Sequence, residues 1–435
     1  MAIIAPVLVD QAFIVGMSMI NTALISSSGM AALSAVSMVD SVNLLLINIF
    51  IALATGGTVI VAQYKGAGGD RMVNKAAATS IAVDVLVSGG IGALMLAFHA
   101  PLLHILFGGA AHDVMQNAVV YFLGSSISYV GIAVEESVCS SLRGVGETRS
   151  ALLLSLIMNL SYVLFNILLV TILHMGVLGM TIAINLARYL GAACSLLFLR
   201  GTRSCIRFHF RDLFPLDMSM LRRIFVVGLP FAAEQGFFQG GKLLTQTFIV
   251  QLGTYALATN AICNSFSGVL QIPGNALSLA VVTVVGQCMG RRNIHDARKF
   301  SRLFVWASAV SFIVTSLLLL PVFMPLVYFF HAPAPIIPDI VRLELVTSLF
   351  QIPVWSISFV LPSALRAAGD AKFTSITAML TMWLVRVVLG YVLGIVMHYG
   401  IGGVWLAMNL EWCVRGTIFL IRYRGNRWYA HHLID

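Results

Sequence analysis

Charge is what this chain has least of. Only 10% of its 435 residues are Asp, Glu, Lys or Arg, against roughly a quarter in ordinary globular proteins. That shortage leaves too little polar surface to face water, and it excludes a soluble catalyst, a secreted disulfide scaffold and a disordered tail. The six cysteines include no CxxC spacing, so metal and redox motifs of that kind are excluded. No HExxH, GxSxG, P-loop or paired acidic metal motif is present, which leaves no catalytic or metal-binding constellation to propose. The first apolar stretch has no basic segment before it and is too long for the core of a signal peptide, so no cleaved leader is expected.

What is there is apolar. Hydrophobic residues make up 59% of the chain, and the mean hydropathy is +0.95. A spanning helix needs about 20 such residues, and continuous runs such as Leu44 to Ala54 exclude the alternating strands of a membrane barrel. The expected fold class is an all-α membrane protein with twelve transmembrane helices. Their apolar segments fall at roughly 3–27, 35–63, 76–98, 117–141, 150–173, 177–199, 224–251, 257–287, 301–330, 343–364, 373–397 and 401–421.

The charges sort by side. All but five of the 26 Lys and Arg residues fall in connections on one face; Arg342 is opposite, and Arg188, Lys242, Arg386 and Arg415 lie inside spans. Basic loops stay in the cytoplasm and the span count is even, so both termini are expected there; the expected location is the plasma (inner) membrane. The net charge of +9 is therefore topological, and no nucleic-acid partner is implied. Lipid is the expected surrounding, and the chain is expected to act as a monomer.

Sliding the sequence on itself exposes a duplication at an offset of 224 residues. Pro6, Asp10 and Gln11 match Pro230, Glu234 and Gln235, and Gly29 matches Gly253. Gln63 and Gly66 match Gln287 and Gly290, and His174 and Asn185 match His398 and Asn409. With one residue of slippage, LRGVGET (Leu142 to Thr148) meets LRAAGDA (Leu365 to Ala371). Six spans per half is an even number, so the expected lobes are parallel and related by a pseudo-two-fold axis along the membrane normal. The expected divisions are a lobe over 1–200, a cytoplasmic amphipathic linker over 201–223, a lobe over 224–422 and a cytoplasmic tail over 423–435. A site between two such lobes can open alternately to either side.

These residues resemble the multidrug and toxic compound extrusion (MATE) transporters along essentially the whole chain. The resemblance rests on the prolines of the first and seventh spans (APVLVDQ, GLPFAAEQ), on ALATGGTVIVAQYKGAG closing the second, and on SLRGVGETRS and ALRAAGDAKF after the fourth and tenth. GVLGMTIAINLARYLGA and GIGGVWLAMNLEW lead into the sixth and twelfth. It implies a two-lobed antiporter that exports organic, cationic drugs or xenobiotics in exchange for H+ or Na+, with no cofactor. A flippase for a lipid-linked sugar or another amphipathic lipid shares the two-lobed plan but would want a strongly cationic cavity; a membrane-embedded enzyme or sensor is the remaining alternative. One departure matters. Many relatives carry an Asp-Thr pair in the first span that handles the coupling ion, and here Asn21-Thr22 stands there. An amide oxygen can hold sodium but cannot titrate.

Acids inside spans are costly, at about 2.5–3.5 kcal/mol each on insertion scales, so each asks for a reason. Asp10 and Glu135 both count out to about 10–12 Å from the cytoplasmic ends of their helices and are expected to approach each other, with Pro6 loosening the first helix beside Asp10. They, with Asn21, Asp40 and Glu234, are the candidates for binding the coupling cation. Lys242, Arg386, Glu411 and Arg415 form an expected charge network. Phe237, Phe238, Trp355, Phe359, Met379 and Trp383 are candidates for lining a cleft that receives organic cations through their ring faces, and Met382 joins them as an adaptable apolar surface.

Overall fold

The structure is a computed structural model that describes residues 3–434 except 109–110, 202–205, 207–216, 330–332 and 432. It is helical, with no strand among the described residues. The helices are α1 (Ile4–Ser26), α2 (Met30–Gly66), α3 (Asp70–Ala97), α4 (His99–Phe107), α5 (His112–Val145), α6 (Thr148–Asn166), α7 (Gly176–Arg200), α8 (Met218–Gln251), α9 (Thr254–Gly290), α10 (Ile294–Phe329), α11 (Ile337–Phe350), α12 (Ser356–Ala367), α13 (Ala371–Thr381), α14 (Val388–Tyr391) and α15 (Gly400–Arg424). Wider π-helical turns extend α6 over Ile167–Ile172, join α11 to α12 over Gln351–Trp355, and flank α14 over Met382–Val387 and Val392–Val396.

In a bilayer every backbone polar group must be satisfied within its own segment, and the helix does this. Eleven segments of the described chain are long and apolar enough to cross. The remaining sequence segment, 224–251, lies in α8, where Glu234, Gln235, Gln239 and Lys242 interrupt the apolar run. Most of the expected linker, 201–223, lies outside the described residues. Its last residues already belong to α8, whose start is capped by Asp217: the carboxylate accepts from the backbone N–H of Ser219 (2.9 Å) and Met220 (3.4 Å) and pairs with Lys75. The Lys75 ammonium first, and then those N–H groups, hold the Asp217 carboxyl below the usual carboxylate range.

The duplication is visible in the backbone. α2 and α9 are both 37 residues long and both start after a glycine at positive φ, Gly29 (101°) and Gly253 (99°). A side chain there would be strained, so glycine fits both starts. Two histidines also adopt left-handed conformations at matching places, His174 (51°) and His398 (59°).

The prolines behave differently from the sequence expectation. Pro6 lies in the first turn of α1, which runs on to Ser26. First-turn N–H groups have no intrahelical acceptor, so proline removes nothing there and loosens nothing beside Asp10. Pro230 is inside α8 and does remove a helical bond.

The chain divides into two compact units, Met1–Ala232 and Ala233–Asp435. The division falls inside α8, because the first turns of that helix lie on α2. A Cβ built on Gly56 would stand 2.7 Å from the Cα of Gly228, and Ala232 packs with Ala52 and Leu53 in one apolar cluster. Backbone against backbone cannot yield as a side chain can. Gly56→Val is therefore expected to destabilise the protein by about 1–3 kcal/mol through overpacking, read as a lower unfolding temperature of the purified protein in detergent. An unchanged midpoint would show that α2 and α8 can separate freely at this point.

Candidate functional site

In the first unit, α1, α2, α5, α6 and α7 surround a cavity of about 280 Å³. Its polar wall includes Asn21, Asp40, Tyr121, Asn159, Tyr162 and Arg188. Asp40 is exposed to this space. Its Oδ1 accepts hydrogen bonds from the Tyr121 hydroxyl (3.0 Å) and from Asn43 Nδ2 (3.2 Å). Asn43 is held in turn by the Tyr129 hydroxyl, which donates to Asn43 Oδ1 at 2.7 Å. Arg188 Nη1 donates to Ser128 Oγ at 2.7 Å, and Asn166 Nδ2 donates to Asn21 Oδ1 at 2.7 Å. A carboxylate fixed by two donors and still open to a cavity can take a cation, and the Arg188 guanidinium on the same wall supplies a counter-charge. Tyr121, Asn43 and Tyr162 were missing from the sequence reading, and Arg188 was placed inside a span without a role. Arg188 carried a signal, since arginine inside a span is rare.

A second cluster in the same unit joins α1 and α5. Asp10 and Glu135 are 3% and 2% exposed. Arg143 stands between acids: its Nη1 is 2.9 Å from Glu136 Oε1 and its Nη2 is 3.8 Å from Asp10 Oδ2. Glu135 points elsewhere on α5 and accepts from Cys139 Sγ at 3.1 Å. Helix geometry separates neighbouring residues by about 100°, so Glu136 makes the short contact with the arginine, while the charges of Arg143 and Asp10 still reach Glu135.

The second unit repeats this acid–arginine arrangement. Glu234 Oε1 is 3.4 Å from Arg366 Nη2, and its Oε2 accepts from Ser375 Oγ at 2.9 Å. Glu234 and Arg366 are the repeat mates of Asp10 and Arg143. Farther along, Glu411 Oε1 is 3.1 Å from Arg415 Nη1 and also accepts from Thr381 Oγ1 at 3.4 Å. The Arg415 guanidinium lies 4.1 Å from the centre of the Phe359 ring, which stacks on Trp355 with centroids 4.5 Å apart. Lys242 and Arg386 approach a single ring, that of Phe238, at 5.0 and 5.9 Å.

The aromatic candidates divide. Phe237 and Trp383 are 53% and 36% exposed and meet edge to face at 6.3 Å; Phe238, Phe359 and Met379 are half-buried. Trp355 and Met382 are buried inside the unit. A Cβ on Gly274 would lie 2.4 Å from the Trp355 ring, and one on Gly241 would lie 2.7 Å from Met382 Cε, so both side chains fill gaps that glycine leaves. Glu344 is buried on α11, accepts from Ser267 on α9 at 3.5 Å, and borders a largely apolar cavity of about 320 Å³ between α9, α10 and α11. Among the described residues no cluster of His, Cys, Asp and Glu could hold a metal ion.

With that geometry in view, comparison with known proteins is informative. Residues 6–172 and 230–392 match the MatE family, and the two stretches begin at the repeated prolines Pro6 and Pro230. The chain is 25% identical over 429 residues to YisQ of Bacillus subtilis (strain 168), an uncharacterized transporter, spanning 97% of this chain and 93% of that one. It is 25% identical over 419 residues to NorM of Thermotoga maritima, a probable multidrug resistance protein, spanning 94% and 88%. The crystal structure of MATE in the straight conformation superposes with a TM-score of 0.88 at 18% identity, covering 97% of this chain and 95% of that one. The twelve-helix fold is thus shared.

Proposed function

We propose a function for this chain from one premise: it belongs to the MatE family, which matches it in both halves. Members of that family are transporters and not enzymes, and this chain is a multi-pass membrane protein. We read it as a secondary active transporter that exports small organic compounds by antiport with H+ or Na+. The name of the NorM relative, a probable multidrug resistance protein, supports drug-like cargo.

The observation that carries the reading is the Asp40 cavity. A coupled exporter needs a site whose ion occupancy differs between its two orientations, because a ligand shifts an equilibrium only through different affinity for the two states. Asp40 supplies a charge held in place by Tyr121 and Asn43 yet reachable from the cavity. Asp10 and Glu234 are the less suited acids, since each is in a direct ion pair with an arginine, whereas Arg188 on the Asp40 wall donates to Ser128; their role is to tie α1 to α5 and α8 to α12. Nothing about Asn21 prevents sodium use, and Asp40 can serve either ion.

The test is uphill transport. Proteoliposomes holding the purified protein should accumulate an organic dye when either a pH or a sodium gradient is imposed, and should stop when that gradient is collapsed by an ionophore. Dye movement indifferent to both gradients would refute antiport. Orientation is a separate proposal: the basic connections lie in the cytoplasm. In a background without native cysteines, Asn293→Cys between α9 and α10 should resist an impermeant maleimide applied to intact cells, and Pro333→Cys should react. The opposite pattern would invert the topology.

A further inference from the structure

In the second unit the cations that fall within spans do not balance. Arg366 faces Glu234 and Arg415 faces Glu411. Lys242 and Arg386 have no carboxylate within 4.0 Å among the described residues, and the acid whose charge reaches Arg386 is Glu411, already engaged by Arg415. Both instead address the Phe238 ring. A ring face returns less to a cation than insertion of its charge costs.

The packing holds the two like charges on one ring rather than letting them part. α8 presents Gly240 and Gly241 to the π-helical turn Met382–Val387. A Cβ on Gly241 would come 2.7 Å from Met382, and one on Gly240 would touch Trp383 at 3.9 Å. Lys242 follows directly on α8, and Arg386 lies in the π turn. Such turns are frequent at functional sites because they re-aim a side chain that a regular helix would carry elsewhere. Lys242 is exposed on the unit's surface and Arg386 is half-buried, and charged side chains within spans almost always face the protein interior or a water-filled cavity rather than lipid. Beside them lie the exposed rings of Phe237 and Trp383, with Trp383 fixed by its Nε1, which donates to the Phe237 carbonyl at 3.2 Å.

We propose that Lys242, Arg386 and the adjoining Phe237, Phe238 and Trp383 form a binding site for an amphipathic organic anion, its acidic head between the two cations and its apolar body on the exposed rings. This deepens the transport reading, on which it rests for its meaning, and it opposes the cationic cargo that the family resemblance implies. An acidic head of this kind can belong to a soluble compound or to a lipid.

The experiment compares naphthalene-2-sulfonate with the near-isosteric cation naphthyltrimethylammonium, by titration calorimetry on the full chain in zwitterionic nanodiscs. The sulfonate should bind at least about tenfold more tightly than the cation. Lys242→Gln and Arg386→Gln should each weaken it about tenfold, and Lys242→Arg should keep it, with unfolding temperature confirming that each variant is folded. Repeating the titration in phosphatidylglycerol nanodiscs separates the sources: weakened sulfonate binding marks a lipid head as the competing occupant, and unchanged binding marks a soluble anion. Tighter binding of the cation, or sulfonate affinity unmoved by both glutamine variants, overturns the site. Sulfonate that binds through these residues but is never carried under either gradient leaves the site standing and removes the transport reading instead.

Discussion

Asp40→Asn is expected to lower gradient-driven accumulation about a hundredfold while the protein stays folded. Asparagine has nearly the same shape, so Tyr121 and Asn43 keep a hydrogen-bonding partner in the cavity wall. What disappears is the charge. A hundredfold loss of cation affinity corresponds to about 2.7 kcal/mol, a modest value for a carboxylate addressing a cation inside a low-dielectric cavity. Because coupling depends on the difference in ion affinity between orientations, that loss removes the uphill component and leaves downhill exchange of dye. The measurement is therefore paired: uphill uptake in proteoliposomes should collapse, and dye counterflow without a gradient should persist. If both survive, the coupling ion does not use Asp40, and Asp10→Asn and Glu234→Gln become the variants to assay.

The second large effect is on stability. Glu411 is fully buried and Arg415 nearly so; together they link α15 to Thr381 and to the Phe359 ring. Removing one partner leaves an uncompensated charge, which costs about 3–5 kcal/mol. Glu411→Leu and Arg415→Leu should each lower the unfolding midpoint strongly. The double variant should cost clearly less than the two singles combined, because neither charge is then stranded. Additive losses would mean that the two residues act through separate contacts.

How much of this was legible in the sequence differs by level. The spans and the duplication were legible because the bilayer imposes long apolar runs and because Gly29 and Gly253, or His174 and His398, mark the same backbone turns twice. The expected family was legible from motifs, and the match over both halves agrees. Cross-helix partners were not. Asp10 and Glu135 sit at similar depths and the charge of one reaches the other, but depth leaves each helix free to rotate, and it is Glu136 that α5 brings to 2.9 Å from Arg143. The repeat held a usable clue: Asp10 and Arg143 both have mates, Glu234 and Arg366, so a paired role in one unit should recur in the other. The Asp40 cavity was harder, because its wall is assembled from five helices and only Asn21 and Asp40 had been singled out. Trp355 shows the opposite failure. Its residue type invites a ligand-binding reading, whereas the gap above Gly274 gives it a packing role.

The position of the division within α8 bears on how such a chain can be cut and rejoined. A coexpressed pair of halves severed at Arg200 would leave Met218–Ala232 on the wrong polypeptide, and the first half would show Leu53 and Gly56 without the helix that covers them. Severed after Ala232 instead, each half would carry its own surface but break one continuous helix. The duplicated halves are thus stitched rather than merely linked: the gene repeats at 224 residues, while the seam of the folded protein lies a little beyond it.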